Sequence, residues 1–206
     1  MPNYKSQIIP TWCPGCNNFL VYSALQNAFS ALNLSPHNIF IAYDIGCAGN
    51  MADFFKAYGA HTLHGRSPAF AMGVKLIKPE ITVCVIGGDG GIYGEGLNHL
   101  IAAARMNINI HIFVSNNFLY SLTTGQTSPT TPKGAKTKST PLGTPNEPVN
   151  PVKLLKSVNP EVFVESLGVT DLPKLTQTLK SAIKHPGFSL VDITQDCIAF
   201  GKQLKP

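Results

Sequence analysis

The sequence predicts an α/β fold in which helices cover both faces of a doubly wound, mostly parallel β-sheet. Short apolar runs typical of buried strands, among them residues 82–86 and 110–114, alternate along the chain with segments of helical periodicity. Glycines or polar residues follow several of these runs, and the carboxyl ends of parallel strands share one edge of a sheet. The chain of 206 residues is long enough for one large core, so we expect residues 1–206 to form a single domain.

The predicted elements follow in alternating order. Residues 18–34 are a predicted helix because apolar residues recur at helical spacing, namely Val21, Ala24, Leu25, Ala28 and Leu32, before a proline at position 36. Further helices are expected at residues 67–77, 93–106, 151–158 and 172–184, the first of them ended by Lys78 and Pro79. Strands are expected at residues 39–43, 82–86, 110–114, 162–165 and 188–193.

Residues 123–150 are rich in Thr, Pro, Gly and Lys and have no apolar periodicity. A loop of this length inside a single domain is usually functional or part of an interface, and the alternative is simple disorder. We therefore predict a loop that contacts a ligand or a partner.

Composition narrows the class of protein. Hydrophobic residues make up 44% of the chain and charged residues 13%, which suggests that partner subunits cover much of the surface. The net charge of +5 is not clustered, so we expect no nucleic acid as a partner. No apolar stretch reaches membrane-spanning length and residues 1–11 lack the apolar core of a signal peptide, so we expect a cytoplasmic protein with reduced thiols and no membrane contact.

Two strand ends carry polar residues of complementary chemistry. Asp89 lies in a Gly-Gly-Asp-Gly-Gly segment after the strand at 82–86, and Asn117 follows the strand at 110–114. A carboxylate and an amide oxygen side by side suit a hard cation such as magnesium, which shares its ligands with substrate phosphates. The glycines leave backbone N–H groups free to approach a diphosphate, although an ordinary glycine loop would have the same composition.

The five cysteines need an explanation other than disulfides. Cys13 and Cys16 form a CxxC pair, and Cys47 and Cys197 each follow a predicted strand. Cys84 lies inside an apolar strand and is predicted to fill the core. Four thiolates suit a structural zinc or a 4Fe-4S cluster, and the CxxC pair alone would also fit a redox pair or half of a zinc site.

Several motifs together resemble a known family over residues 12–197. They are the segments at 12–16 (WCPGC), 44–47 (DIGC), 61–66 (HTLHGR), 88–90 (GDG), 98–99 (NH), 103–105 (AAR), 116–117 (NN) and 124–132 (TGQTSPTTP). In this order the chain resembles the beta subunits of 2-oxoacid:ferredoxin oxidoreductases, a family that includes the pyruvate and 2-oxoglutarate enzymes. The resemblance implies a thiamine-diphosphate-binding fold of the pyrophosphate type.

The resemblance also implies ligands for three cofactors, thiamine diphosphate, Mg²⁺ and a 4Fe-4S cluster. The cluster would be bound by Cys13, Cys16, Cys47 and Cys197. Magnesium would be bound by Asp89, Asn117 and the backbone carbonyl of Leu119. Thiamine diphosphate would be held by Ile45, Gly46, Cys47, Ala48, His64, Gly65, Gly90, Gly91, Ser121 and Leu122. The chain departs from the family pattern at Gly91, where many relatives have an acidic residue, and at Asn50, where many have a basic one.

The implied activity is oxidative decarboxylation of a 2-oxoacid with coenzyme A, giving acyl-CoA and CO₂ and passing electrons to ferredoxin, or the reverse synthase reaction. The family's alpha subunit supplies the carboxylate that contacts the cofactor's aminopyrimidine ring, so we expect an alpha–beta heterodimer or its dimer. Two alternatives remain open, a non-oxidative thiamine-dependent decarboxylase or synthase and a zinc-stabilised scaffold. Outside these sites, Glu95 is expected to be solvated or at an interface, and Tyr120 to serve in packing.

Overall fold

A parallel β-sheet forms the centre of the computed structural model, which describes residues 3–204. The strands are β1 (Ile39–Tyr43), β2 (Tyr58–His61), β3 (Thr82–Gly88), β4 (His111–Asn116), β5 (Leu119–Tyr120), β6 (Gln126–Thr127), β7 (Phe163–Gly168) and β8 (Ser189–Thr194). Six of them form the central sheet in the order β2-β1-β3-β4-β8-β7, and each neighbouring pair is parallel. β5 and β6 form a small antiparallel pair. Residues 1, 2, 205 and 206, which the single-domain prediction includes, lie outside the described residues.

Helices cover both faces of this sheet. They are α1 (Asn18–Ala31), α2 (Ser67–Ile77), α3 (Leu97–Met106), α4 (Pro151–Val158) and α5 (Leu172–Lys184). α1 packs against α5 on one face, and α3 lies between α2 and α4 on the other. The predicted doubly wound α/β fold is confirmed. Within residues 3–204, no helix is both long enough and apolar enough to cross a bilayer.

Strand β3 shows why the sheet needs helices on both sides. Its side chains alternate between two apolar clusters, with Cys84 and Ile86 in the cluster under α1 and α5. Val83 and Val85 belong to the cluster under α2, α3 and α4. All four side chains have no exposed surface, so both faces of the strand are buried, as the continuous apolar run predicts. The prediction that Cys84 fills the core is confirmed.

Several predicted bounds differ from the structure, and the differences have local causes. α1 ends at Ala31, three residues early, because Asn33 adopts a left-handed backbone conformation with φ of 52°. β3 continues through Gly88, and Asp89 begins a helical turn directly, so the tight glycine loop predicted there is wrong. A π-helical segment, Gly91–Glu95, then precedes α3. The edge strand β2 was not predicted because its sequence, YGAH, is mostly exposed and has no apolar run.

The parallel register brings the carboxyl ends of the central strands together. Tyr43 at the end of β1 lies beside Ile86 of β3, and Gly88 at the end of β3 lies beside Ser115 of β4. The residues that follow β1, β3 and β4 therefore meet at one edge of the sheet, as the sequence predicts.

The buried His111 on β4 makes the stability of the fold depend on pH. The side chain is 3% exposed and its Nδ1 lies 2.9 Å from Ser189 Oγ. Burial, with smaller contributions from the charges of Lys75 and His185, lowers the pKa of His111 to about 3. Because the pKa is lowered on folding, its contribution to stability is complete above about pH 6.5, where the unfolded imidazole is neutral, and is lost as the pH falls towards about 3.

We expect this histidine to lower the free energy of unfolding by about 2 kcal/mol between pH 7 and pH 5, measured by urea denaturation. At pH 7 the variant His111→Gln should have a lower free energy of unfolding than the unmodified chain. Between pH 7 and pH 5, however, its free energy of unfolding should fall by about 2 kcal/mol less than that of the unmodified chain. The matched control is His37→Gln, which makes the same replacement at an exposed histidine. An equal pH dependence in His111→Gln and the unmodified chain would contradict the assignment.

Candidate functional site

A pocket opens at the carboxyl edge of the sheet. It is lined by residues from four segments at or after the carboxyl ends of β1, β2, β3 and β4, namely Ile45, Gly46, Cys47, Ala48, His64, Gly88, Asp89, Gly90, Gly91, Ser115, Asn117, Leu119, Tyr120, Ser121, Leu122 and Thr123. The structure thus brings together each predicted cofactor-binding and magnesium-binding residue except Gly65. Gly65 follows His64 in sequence and donates its backbone N–H to the Asp44 carboxylate.

Asp89 is a buried carboxylate at the base of this pocket. Its side chain is 1% exposed, and burial raises its pKa to about 6 in spite of the hydrogen bonds that it accepts. Its Oδ2 accepts hydrogen bonds from Ser128 Oγ at 2.5 Å and Thr130 Oγ1 at 2.7 Å. Within residues 3–204, no lysine, arginine or histidine forms an ion pair with this carboxylate.

Oxygen atoms from the neighbouring segment complete the polar side of the pocket. Asn117 Oδ1 accepts hydrogen bonds from the backbone N–H of Leu119 at 3.1 Å and from Ser121 Oγ at 2.9 Å. Asp89, Asn117 and the Leu119 carbonyl could hold a divalent cation, since a buried carboxylate without a cationic partner lies next to amide oxygens. In the described part of the chain, no group of three or more His, Cys, Asp or Glu side chains is drawn together around a single metal ion. A magnesium site would therefore depend on these amide oxygens, and the four cysteines that share the cavity described below do not converge on one ion either.

Gly90 and Gly91 have no side chain, and another residue occupies the space beside each of them. A Cβ atom at Gly90 would lie 2.3 Å from the ring of Tyr120. A Cβ atom at Gly91 would lie 2.1 Å from Asp44 Oδ1. Neither separation is possible without movement, so both positions require glycine as the pocket stands.

His64 lies between two acidic side chains at the pocket wall. Its Nδ1 is 3.1 Å from Glu95 Oε2 and 3.9 Å from Asp44 Oδ1. Tyr120 donates its hydroxyl hydrogen to Glu95, 3.2 Å away, and burial together with this carboxylate raises the pKa of Tyr120. Glu95 keeps 47% of its side chain exposed, in agreement with the expectation that it is solvated or at an interface, and it also contacts two pocket residues.

Four cysteines line a second cavity beside the first. Cys13, Cys16, Cys47 and Cys197 all face it, as does Asn50. Burial and the proximity of the other three thiols raise the pKa of Cys47 to about 11. Trp12 Nε1 donates a hydrogen bond to the Cys47 carbonyl at 2.7 Å, which ties the CxxC segment to the loop that follows β1. Cys84 lies elsewhere, fully buried in β3.

The two cavities share a wall. Cys47, Asn117, Ser121 and Leu122 line both of them. A group held by the four cysteines would therefore lie next to a ligand bound at the carboxyl edge of the sheet. All five cysteines of the chain are free thiols in the structure, so the sulfur atoms around the second cavity are available as ligands.

Sequence reasoning missed three residues that shape the first pocket. Ser128 and Thr130 lie in the loop predicted at 123–150, within a motif that was recognised without a role for either hydroxyl. Asp44 was part of another recognised motif, but its contacts were not predicted. The available signal was position: Asp44 follows a buried strand directly, as Asp89 does.

Comparison with known proteins first defines the class. Residues 44–193 match the family described as "Thiamine pyrophosphate enzyme, C-terminal TPP binding domain". The matched region begins at Asp44 and includes the whole first pocket. The fold and this match therefore define a thiamine-diphosphate-binding domain, as predicted.

Curated relatives then identify the family. The chain is 38% identical over 198 residues to 2-oxoacid:ferredoxin oxidoreductase 1, subunit beta, of Aeropyrum pernix, covering 96% of this chain and 62% of the relative. It is 43% identical over 188 residues to the corresponding beta subunit of Saccharolobus solfataricus, covering 90% and 61%. It is 36% identical over 194 residues to 2-oxoglutarate synthase subunit KorB of Archaeoglobus fulgidus, covering 94% and 72%. The chain belongs to the family of 2-oxoacid:ferredoxin oxidoreductase beta subunits.

A solved structure has the same fold. The 2-oxoglutarate:ferredoxin oxidoreductase from Magnetococcus marinus, solved with 2-oxoglutarate, coenzyme A and succinyl-CoA bound, matches with a TM-score of 0.91 and 33% identity. The match covers 96% of this chain and 67% of that chain. The chain spans about three fifths of the length of the two beta subunits from Aeropyrum and Saccharolobus.

Proposed function

We propose that the chain acts with an alpha subunit to decarboxylate a 2-oxoacid oxidatively, transferring the acyl group to coenzyme A and the electrons through a 4Fe-4S cluster to ferredoxin, or catalyses the reverse synthase reaction. The observation that carries this proposal is the wall shared by the two cavities. An oxidative mechanism needs an electron acceptor next to the site where the carbon–carbon bond breaks. A non-oxidative thiamine enzyme has no use for four cysteines at that place.

Asp89, Asn117 and the Leu119 carbonyl are the proposed magnesium ligands. The donor set supports this role, because a buried carboxylate with a raised pKa gains from a cation that replaces its proton. Gly90 and Gly91 lie at the start of the helical segment after β3, where backbone N–H groups favour a diphosphate. When bound, thiamine diphosphate supplies the electron sink for decarboxylation.

Cys13, Cys16, Cys47 and Cys197 are the proposed ligands of the 4Fe-4S cluster. Their thiols face one cavity, and burial together with the neighbouring thiols raises the pKa of Cys16 and Cys47. Bound iron would favour the thiolate forms and would offset the repulsion between neighbouring thiolates. Free thiols of this kind fit a reducing compartment, so we place the protein in the cytoplasm.

An alpha subunit and ferredoxin are the proposed protein partners. Large apolar side chains are exposed along the described surface, among them Ile8, Ile9, Leu63, Phe70, Leu76, Ile77, Leu142 and Ile198. Such residues suit burial by another subunit, and Ile198 lies beside the cysteine cavity. The beta-subunit relatives and the enzyme from Magnetococcus marinus support a 2-oxoacid and coenzyme A as substrates.

Metal analysis of protein purified without oxygen tests the proposed function. We expect about four iron and about four sulfide ions per chain, together with magnesium-dependent binding of thiamine diphosphate. Thiamine diphosphate binding without iron would favour the non-oxidative enzyme. Zinc on the cysteines without thiamine diphosphate binding would identify a scaffold and overturn the proposal.

The hydroxyls of Ser128 and Thr130 give a further prediction. The double variant Ser128→Ala, Thr130→Val removes both side-chain donors to Asp89, and we expect the magnesium concentration needed for thiamine diphosphate binding to rise by about tenfold or more. Thr137→Val is the matched control: its buried hydroxyl, in the same loop, contacts Thr127 and Thr140 but not Asp89. Equal magnesium requirements in the double variant and the control would show that the loop does not orient Asp89.

A further inference from the structure

Asp44 is a buried carboxylate that the proposed binding roles leave without a function. It follows β1 directly and its side chain has no exposed surface. Among residues 3–204, His64 is the one basic side chain within ion-pair distance of its carboxylate, with Nδ1 3.9 Å away, and His61 Nε2 lies 3.1 Å from its backbone carbonyl. A buried carboxylate is costly unless hydrogen bonds compensate it, so its partners indicate what it holds in place.

The hydrogen bonds of Asp44 join two separate segments of the pocket wall. Its Oδ1 accepts from the backbone N–H of Ile45 at 2.9 Å, and both oxygens accept from the N–H of Gly65, at 3.1 and 3.0 Å. Its Oδ2 accepts from Ser67 Oγ at 2.6 Å, with the Ser67 N–H at 3.5 Å. One carboxylate therefore connects the loop after β1 to the turn that places His64 in the pocket.

The Asp44 carboxylate also caps the start of a helix, although Asp44 is not adjacent to that helix in sequence. Ser67 begins α2, and Arg66, the residue before it, makes no side-chain capping hydrogen bond. The Ser67 N–H, at the start of α2, lies 3.5 Å from Asp44 Oδ2, and the helix dipole favours a negative charge at this end. Asp44 thus takes the place of a local capping residue and fixes the position of the whole turn.

Gly91 faces the other side of this carboxylate. A Cβ atom at position 91 would lie 2.1 Å from Asp44 Oδ1 and 2.9 Å from its Cγ. Two carboxylates, one at each position, would compete for the same space and repel each other. A single carboxylate, attached to either residue 44 or residue 91, would fit in this space. The space lies between the start of the helical segment after β3 and the turn before α2.

We propose that Asp44 is the positioning residue of the thiamine diphosphate pocket, and that its carboxylate can be supplied from position 91 instead. This inference rests on the proposed binding of thiamine diphosphate. Asp44 holds His64 and the loop 45–48 in register, and Gly91 is small because Asp44 fills the space beside it.

A residue swap in the 206-residue chain tests the proposal, with the dissociation constant of thiamine diphosphate at saturating magnesium and the thermal midpoint as readouts. We expect Asp44→Gly to weaken binding by about tenfold or more and Gly91→Asp to weaken it at least as much. In the double variant Asp44→Gly, Gly91→Asp the carboxylate returns to the shared space. We expect its dissociation constant to lie within about threefold of the unmodified chain and its midpoint to exceed that of Gly91→Asp.

The matched control is Asp171→Gly, which removes another aspartate that caps a helix. Asp171 accepts a hydrogen bond from the Lys174 N–H at 3.0 Å at the start of α5, away from the pocket. This variant should lower the thermal midpoint without changing the dissociation constant. Asp44→Gly with unchanged binding, or a double variant as weak as the two single effects combined, would overturn the proposal. If the unmodified chain itself failed to bind thiamine diphosphate, the proposed function would fail, and the pocket role of Asp44 with it.

Discussion

Replacing Asp89 with alanine is expected to abolish magnesium-dependent binding of thiamine diphosphate while leaving iron on the cysteines. Asp89 is the buried carboxylate among the three proposed magnesium ligands, and the other two supply neutral oxygens. Without it, no carboxylate of the residues that line the pocket faces the cation, so we expect the dissociation constant to rise beyond the measurable range. Calorimetric titration with thiamine diphosphate and magnesium, together with iron analysis of the same preparation, measures both effects.

The isosteric variant Asp89→Asn separates loss of the ligand from loss of the fold. Because burial raises the pKa of Asp89 to about 6, folding disfavours the charged form, and the stability of the metal-free chain falls as the pH rises through about 6. Removing the charge should therefore raise the free energy of unfolding at pH 7, by at most about 3 kcal/mol. A more stable chain that no longer binds the cofactor would establish the ligand role. Unchanged affinity for thiamine diphosphate in either variant would contradict the assignment of Asp89 as a magnesium ligand.

Replacing Cys197 with serine is expected to remove the cluster. The four cysteines line one cavity from three separate segments, and Cys197 alone comes from the segment after β8. With three thiolates left, we expect iron per chain to fall from about four to below about one in protein purified without oxygen. The absorbance of the cluster and chemical analysis of iron and sulfide measure this loss.

Cys84→Ala is the matched control for this experiment. Cys84 is fully buried in β3 and does not line the cysteine cavity. The variant should be somewhat less stable, because it leaves a small space in the core, yet it should keep its full iron content. A full complement of iron in Cys197→Ser would mean that another residue completes the site. Loss of iron in both variants would point to a general effect of destabilisation.

The sequence predicted the bounds of those helices that have a proline in the first turn or a capping side chain before it. α2, α4 and α5 begin and end where the sequence predicts, and each has a proline in its first turn. Asn150 and Asp171 also cap α4 and α5 through their side chains. The π-helical segment at Gly91–Glu95 and the edge strand β2 have no such marks, because packing against other segments determines them.

At the site, too, some contacts were predicted from the sequence and others were not. The sequence predicted that Asp89 and Asn117 would meet, because the ends of neighbouring parallel strands must lie together. It also predicted the grouping of four cysteines, through the CxxC spacing, the positions after strands and the family resemblance. It did not predict that Glu95 would contact His64 and Tyr120.

By itself, then, the sequence determined the α/β class, the sheet edge that carries the site and the family to which the chain belongs. Hydrophobic periodicity and strand ends are local properties, so they can be read along the chain. Only the tertiary structure decided which hydroxyls orient Asp89 and which segments Asp44 joins. Ser128 and Thr130 are 39 and 41 residues from Asp89, and Gly65 is 21 residues from Asp44. Such contacts depend on how loops fold back over the sheet, and no local pattern encodes that path.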